Sequence, residues 1–90
     1  SKGVGKTSLI EAIVGAPLMG AGMTNRPVHL TFVNNPTRET PRITLKRDPL
    51  LKEFNYDQEV DLKSLPRQLA KRNKDESDLA IVILYEYRYT

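Results

Sequence analysis

The tripeptide Gly5-Lys6-Thr7 matches the last three positions of the phosphate-binding loop G-x-x-x-x-G-K-[ST]. In such a loop the glycines let backbone N–H groups approach phosphate oxygens and form an anion-binding nest. Lys6 would reach the β- and γ-phosphates of a nucleotide, and the hydroxyl of Thr7 would ligate magnesium. The predicted nucleotide-binding residues are Ser1, Lys2, Gly3, Val4, Gly5, Lys6, Thr7 and Ser8.

A helix is expected directly behind this loop. Leu9 with Ile13, and Ile10 with Val14, repeat at the i,i+4 spacing of a helix that starts near Gly5. The positive end of that helix would add to the attraction for phosphate. The alternative interpretation is a flexible glycine turn that precedes a helix and binds nothing. The helix behind the motif favours the phosphate loop.

The remaining elements follow from the spacing of apolar residues. Alternation over 28–33 and 43–46 predicts two strands, which the intervening Asn-Asn-Pro link would pair as an antiparallel hairpin. Residues 50–61 read as a polar connector. Leu62, Leu65 and Leu69 then predict an amphipathic helix.

The last strand is predicted from the aliphatic run Leu79 to Leu84 and the alternating Tyr85, Tyr87 and Tyr89. A strand that is buried on both faces needs a layer on each side, so we expect the domain to continue beyond both ends of the chain. The prediction is an α/β fold of the phosphate-loop NTPase type. Its three-layer sandwich would have a mostly parallel central sheet with an antiparallel edge.

Composition excludes several classes of protein. The 90 residues contain no cysteine, so disulfides, thiolate metal sites and cysteine nucleophiles are excluded. No apolar stretch approaches the roughly 20 residues of a membrane-spanning helix. The net charge of +3 lies in residues 1–45, with five basic and two acidic side chains, whereas residues 46–90 contain nine of each. This balance disfavours nucleic acid as a partner.

Residues 1–33 resemble the dynamin superfamily of large GTPases. The run from Gly5 to Gly15 is similar to that family's phosphate loop and first helix, which ends in a Val-Gly pair. About ten residues later, Met23-Thr24-Asn25-Arg26-Pro27 resembles the family's Val-Thr-Arg-Arg-Pro, which an alternating strand follows. The charged and aromatic run 85–89 resembles dynamin relatives that act in organelle division.

The resemblance implies that residues 1–90 are the N-terminal portion of a dynamin-type GTPase domain, truncated at both ends. It implies Mg²⁺-dependent hydrolysis of GTP, with Thr7 and Thr24 as magnesium ligands. Thr24 would be the switch threonine, which also contacts the attacking water; the alternative is an exposed loop threonine. Self-assembly and membrane remodelling by a cytoplasmic, membrane-peripheral parent protein are also implied. The fragment alone is expected to be inactive.

Two positions depart from the family pattern. Lys2 and Gly3 stand where the family usually has Gln and Ser, which position water and hold a monovalent cation. One hypothesis makes Lys2 catalytic, its charge replacing that cation as an arginine finger would; the alternative is a solvent-facing lysine. Arg26 either fixes the entry to the following strand, close to the triphosphate, or is a surface charge.

Other functions remain open at this point. The chain could belong to another phosphate-loop NTPase, an ATPase or a Ras-like GTPase, although the long insertion between Thr24 and Leu79 argues against the compact Ras pattern. It could also be a binding module that nucleotide switches without turnover. For His29, packing or a surface position is a better interpretation than catalysis. The carboxylates of residues 57–61 are best interpreted as solvated charges. The alternating tyrosines are better explained by packing within a strand than by stacking on nucleic-acid bases. The helix at 62–71 is expected to pack against the protein core and not to lie on a membrane surface.

Overall fold

The computed structural model describes residues 6–14, 26–73 and 77–88. The helices and strands in these ranges are α1 (Lys6–Val14), β1 (Val28–Asn34), β2 (Arg42–Leu45), β3 (Gln58–Val60), α2 (Leu65–Arg72) and β4 (Ile81–Tyr87). Both predicted helices and all three predicted strands are present. The connector also contains β3 and a single 3₁₀ turn, Lys52–Phe54, which the sequence did not indicate.

The four strands form one sheet in the order β1-β4-β2-β3. β1 runs parallel to β4, in register from Val28 opposite Ile81 to Asn34 opposite Tyr87. β2 is antiparallel to both β4 and β3. The described sheet is therefore mixed, with one parallel and two antiparallel pairings.

The predicted hairpin of β1 and β2 is wrong, because β4 lies between these two strands. The physical reason is burial. β4 carries the aliphatic run of the chain, and a central position removes more of its surface from water than an edge position would. The Asn-Asn-Pro link therefore crosses over β4. The N–H of Asn35 at its start donates to the carbonyl of Tyr87.

Both helices pack on one face of the sheet. Leu9 of α1 and Leu65 and Leu69 of α2 are completely buried, and α1 contacts α2. The strand residues in the same core alternate along β2 and β4, as side chains on one face must. They are Ile43, Leu45, Ile81, Ile83, Tyr85 and Tyr87. Helix α2 is thus a core helix, as predicted. No helix among the described residues is long and apolar enough to cross a membrane.

Candidate functional site at the carboxyl ends of the parallel strands

Lys6 is the first residue of α1 and the lysine of the phosphate-loop motif. Its Nζ lies 4.7 Å from the ring centroid of Tyr87 and 5.1 Å from that of Phe32. Tyr87 ends β4, and Phe32 lies in the second half of β1. The ammonium group is therefore near the carboxyl ends of the two parallel strands, the edge at which open α/β sheets bind ligands.

The rings beside Lys6 form an aromatic cluster. Phe32 meets Tyr85 edge-on at 5.8 Å and Tyr87 edge-on at 6.4 Å, while Tyr85 and Tyr87 stack at 5.6 Å. Burial raises the pKa of Tyr85, and the nearby charge of Lys6 opposes that rise. Both tyrosines are almost fully buried, so they serve strand packing, as predicted, and offer no platform for bases.

The rest of the predicted loop is only partly described. Thr7 and Ser8 are exposed in the first turn of α1. Their hydroxyls therefore occupy the positive end of a helix, where an anion is stabilised. Ser1 to Gly5 and Thr24 lie outside the described residues, so the roles assigned to Lys2, Gly3 and Thr24 stay predictions.

Arg26 is a buried hub and not a surface charge. Its side chain is fully enclosed, and two of its nitrogens donate to the carboxylate of Asp48, at 2.6 and 3.2 Å. The same guanidinium donates to the carbonyls of Arg72 and Leu79, at 2.8 and 3.0 Å. The N–H of Arg26 donates to Oδ1 of Asn73. The expected position beside a triphosphate is wrong for this side chain, because its donors are directed at protein acceptors. These contacts instead hold the chain at the entry to β1, as the sequence predicted.

A second buried arginine lies next to this hub. Arg72 ends α2, and its guanidinium stacks on Phe54 at 3.8 Å from the ring centroid. It donates to the side chain of Gln58 and to the carbonyl and side chain of Gln68. Its Nε is buried without a hydrogen-bond partner. Burial lowers the pKa of Arg72, although the nearby Asp48 opposes this.

The opposite face of the sheet carries a polar cluster on β2 and β4. Glu86 accepts hydrogen bonds from Arg42, at 2.8 to 3.0 Å, and from Asn35, at 3.0 Å. These hydrogen bonds hold the pKa of Glu86 below its ordinary value, and the bond from Asn35 has the largest effect. The cluster ties the start of β2 and the end of β1 to β4.

The other residues considered as candidates are His29 and the carboxylates of residues 57–61. His29 is exposed on β1. Asp57 binds Lys46 and the N–H of Arg47, and both contacts lower its pKa. The pKa of Asp61 is lowered by the hydroxyl and N–H of Ser64. Within the described ranges, no group of three His, Cys, Asp or Glu residues could hold a metal ion.

Two clefts open near β2 and β3, with volumes of about 300 and 360 Å³. The first is lined mainly by apolar residues such as Ile43, Val60 and Tyr85, and the second by charged residues such as Lys46 and Asp57. Neither cleft includes Lys6, Thr7 or Ser8. They therefore do not mark the predicted phosphate site.

The sequence of this chain is similar to known proteins. No protein-family model matches the chain. Dynamin-like protein B of Dictyostelium discoideum is 41% identical over 88 residues, which cover 97% of this chain and 11% of the relative. Dynamin-like protein A of the same organism is 39% identical over 88 residues, covering 82% of this chain and 10% of the relative. The chain is homologous to the dynamin-like proteins. The resemblance found in residues 1–33 is thereby confirmed and extends over nearly the whole chain.

The chain spans about a tenth of the length of the two relatives. Its buried hub includes residues that the sequence did not single out, namely Asp48, Arg72 and Asn73. One local signal existed for Asp48, since an Asp-Pro pair at the end of a strand marks a turn. No local signal paired it with Arg26, which lies 22 positions earlier.

Proposed function

We propose that this chain is the N-terminal portion of a dynamin-type GTPase domain, and that the protein containing it hydrolyses GTP with magnesium. The observation that carries the proposal is the position of Lys6. A lysine in a phosphate-loop motif lies at the first turn of a helix and near the carboxyl ends of two parallel strands. Homology to the dynamin-like proteins supports GTP as the nucleotide.

Each predicted residue has a role in this proposal. The backbone of residues 1–8 cradles the phosphates, and Lys6 neutralises charge on the β- and γ-phosphates. Thr7 and Thr24 ligate magnesium, and Thr24 also orients the attacking water. Phosphoryl transfer of this kind depends on positioning and electrostatics, with no covalent step on the protein.

The donor chemistry of the chain fits magnesium. Mg²⁺ in phosphate-transfer sites keeps several waters and uses only one or two protein ligands beside the phosphate oxygens. Thr7, exposed in the first turn of α1, can supply one hydroxyl oxygen. The bound ion would neutralise phosphate charge. A cluster of carboxylates is unnecessary for such a site.

The complete domain is proposed to be a three-layer sandwich. In the described residues α1 and α2 cover one face of the sheet, and the other face carries half-buried Val82 and Leu84. A second layer on that face would bury both side chains. Further parallel strands beside β1 would make the complete sheet mostly parallel.

Lys2 is proposed to replace the monovalent cation that dynamin relatives are expected to hold. Its charge would then offset negative charge in the transition state. Substituting Lys2→Ala in the full-length protein should lower turnover in every alkali-metal salt. Undiminished turnover that requires potassium would rule this role out.

Nucleotide binding by Lys6→Ala tests the proposal directly. Loss of charge-assisted contacts to phosphate should weaken the binding of labelled GTP by about 10- to 100-fold, measured by fluorescence titration in the presence of Mg²⁺. Lys71→Ala, which removes an exposed lysine of α2, is the matched control and should bind as the parent does. Equal affinities of the two variants would contradict the phosphate role of Lys6. If unlabelled ATP displaced the labelled GTP as effectively as unlabelled GTP does, an ATPase would be favoured.

A further inference from the structure

The ammonium group of Lys6 lies between two aromatic rings at the candidate phosphate site. We propose that Phe32, with Tyr87 beside it, is a positioning residue that holds Lys6 at this edge of the sheet ready for phosphate. The inference rests on the proposed function, because it assigns a task to a lysine that binds phosphate. It adds a residue of β1 that no phosphate-loop motif contains.

The geometry is that of two cation–π contacts to one ammonium. Nζ of Lys6 is 5.1 Å from the Phe32 centroid and 4.7 Å from the Tyr87 centroid, inside the roughly 6 Å limit for such contacts. The two rings are nearly perpendicular, at 89°. The register of β1 and β4 places Phe32 opposite Tyr85, on the same face as Tyr87. Packing on both tyrosines therefore fixes the Phe32 ring.

The exposure of Phe32 separates its role from ordinary core packing. Tyr87 is 7% exposed and belongs to the core, whereas Phe32 remains 39% exposed. An exposed ring contributes less to burial, yet its π system still attracts a cation. Phe32 can therefore be replaced with less disturbance of the core than Tyr87.

The contact with Phe32 would restrict the conformations of the Lys6 side chain. A free lysine side chain samples many rotamers, and binding phosphate requires one of them. Restricting the chain before the ligand arrives lowers the entropic cost of binding. An exposed cation–π contact corresponds to about a 2- to 5-fold change in an equilibrium constant. The expected effect on nucleotide affinity is of this size.

The first measurement is the affinity of the full-length protein for labelled GTP with Mg²⁺. Phe32→Leu removes the π face and should weaken binding about 2- to 5-fold. Phe32→Tyr retains the ring and should restore the parent affinity. Val33→Ala is the matched control, since Val33 is 36% exposed and points to the opposite face of β1. Phe32→Ile serves as a second ring-free variant, because a β-branched residue suits a strand.

A double-mutant cycle with Lys6→Ala decides whether Phe32 acts through the lysine. Without the ammonium group, Phe32→Leu should cause no further loss of affinity, so the two effects should not add. A purely structural role would weaken binding equally in both backgrounds and would overturn the inference. Tighter binding by Phe32→Leu would also overturn it, because the rings would then compete with phosphate. If Lys6→Ala itself leaves the affinity unchanged, the proposed function fails instead.

Discussion

Arg26 and Asp48 form an ion pair that is shut off from solvent, with side-chain exposures of 0% and 3%. Such a pair contributes little compared with apolar residues of the same shape, but its halves depend on each other. The carbonyls of Arg72 and Leu79 satisfy the other donors of the guanidinium. The pair thus connects the start of β1, the turn after β2, the end of α2 and the approach to β4.

Asp48→Asn should destabilise the protein strongly, because it leaves Arg26 buried without a countercharge beside the equally buried Arg72. Breaking one half of a buried pair costs about 3–5 kcal/mol. Denaturant unfolding of the parent and the variant measures the change. Asp57→Asn is the control, since Asp57 pairs with Lys46 in solvent, and little change is expected. Similar losses for the two variants would contradict a special role of the buried pair.

Glu86 makes the stability of the sheet depend on pH. Its folded-state pKa lies below the ordinary value of 4.5, first because of Asn35 and then because of Arg42. A lowered pKa stabilises the folded state above the unfolded-state value, and this contribution disappears as the pH falls through the folded-state pKa. We therefore expect the unfolding midpoint to fall on acidification below about pH 5.

Glu86→Gln isolates that contribution. The variant should be less stable than the parent at neutral pH, and the difference should vanish at low pH, where Glu86 is protonated in both states. Asp57 and Asp61 also have lowered pKa values, but they titrate in both proteins and cancel in the difference. If the difference in stability between parent and variant stayed constant across the acidic range, the assignment to Glu86 would be contradicted.

At the scale of elements, short-range features were predicted well. The i,i+4 apolar pairs indicated α1, and Leu65 and Leu69 indicated α2 with its buried face. Leu62, which was expected on the same face, lies before α2 and is exposed. Alternation indicated β1 and β2. The sequence could not show that β4 separates them, because strand order depends on contacts more than 30 positions apart. Nor could it show β3, a three-residue strand too short for a period.

Helix α2 holds its place through two completely buried leucines one turn apart. Leu69→Ala should cost about 2–5 kcal/mol in unfolding free energy, because removing a buried leucine side chain leaves a cavity in the core. Arg67→Ala is the matched control on the exposed side of the same helix, and a change within about 0.5 kcal/mol is expected. Denaturant unfolding checks both. Equal losses for the two variants would contradict the packing role of Leu69, because alanine does not lower helix propensity at either position.

At the scale of the whole molecule, the described residues form one helix-covered face and one face bearing the cluster of Glu86. The phosphate-loop lysine lies near the carboxyl ends of the parallel pair, and sequence reasoning predicted that lysine from its motif alone. What the motif could not predict was the aromatic surroundings of Lys6. Those depend on the parallel pairing of β1 and β4, which only the fold brings about.

The proposed function predicts one of two behaviours for the whole protein: GTP hydrolysis that is coupled to assembly on membranes, or a nucleotide switch that acts on a partner. Coupling is reciprocal in free energy, so a membrane that binds the GTP state preferentially also favours that state. We expect GTP turnover by the full-length protein to rise on adding liposomes, and its co-sedimentation with them to depend on GTP. Lys6→Ala should lose both responses, whereas Lys71→Ala should keep them. Tight nucleotide retention without turnover, unchanged by liposomes, would instead identify a nucleotide-switched binding module.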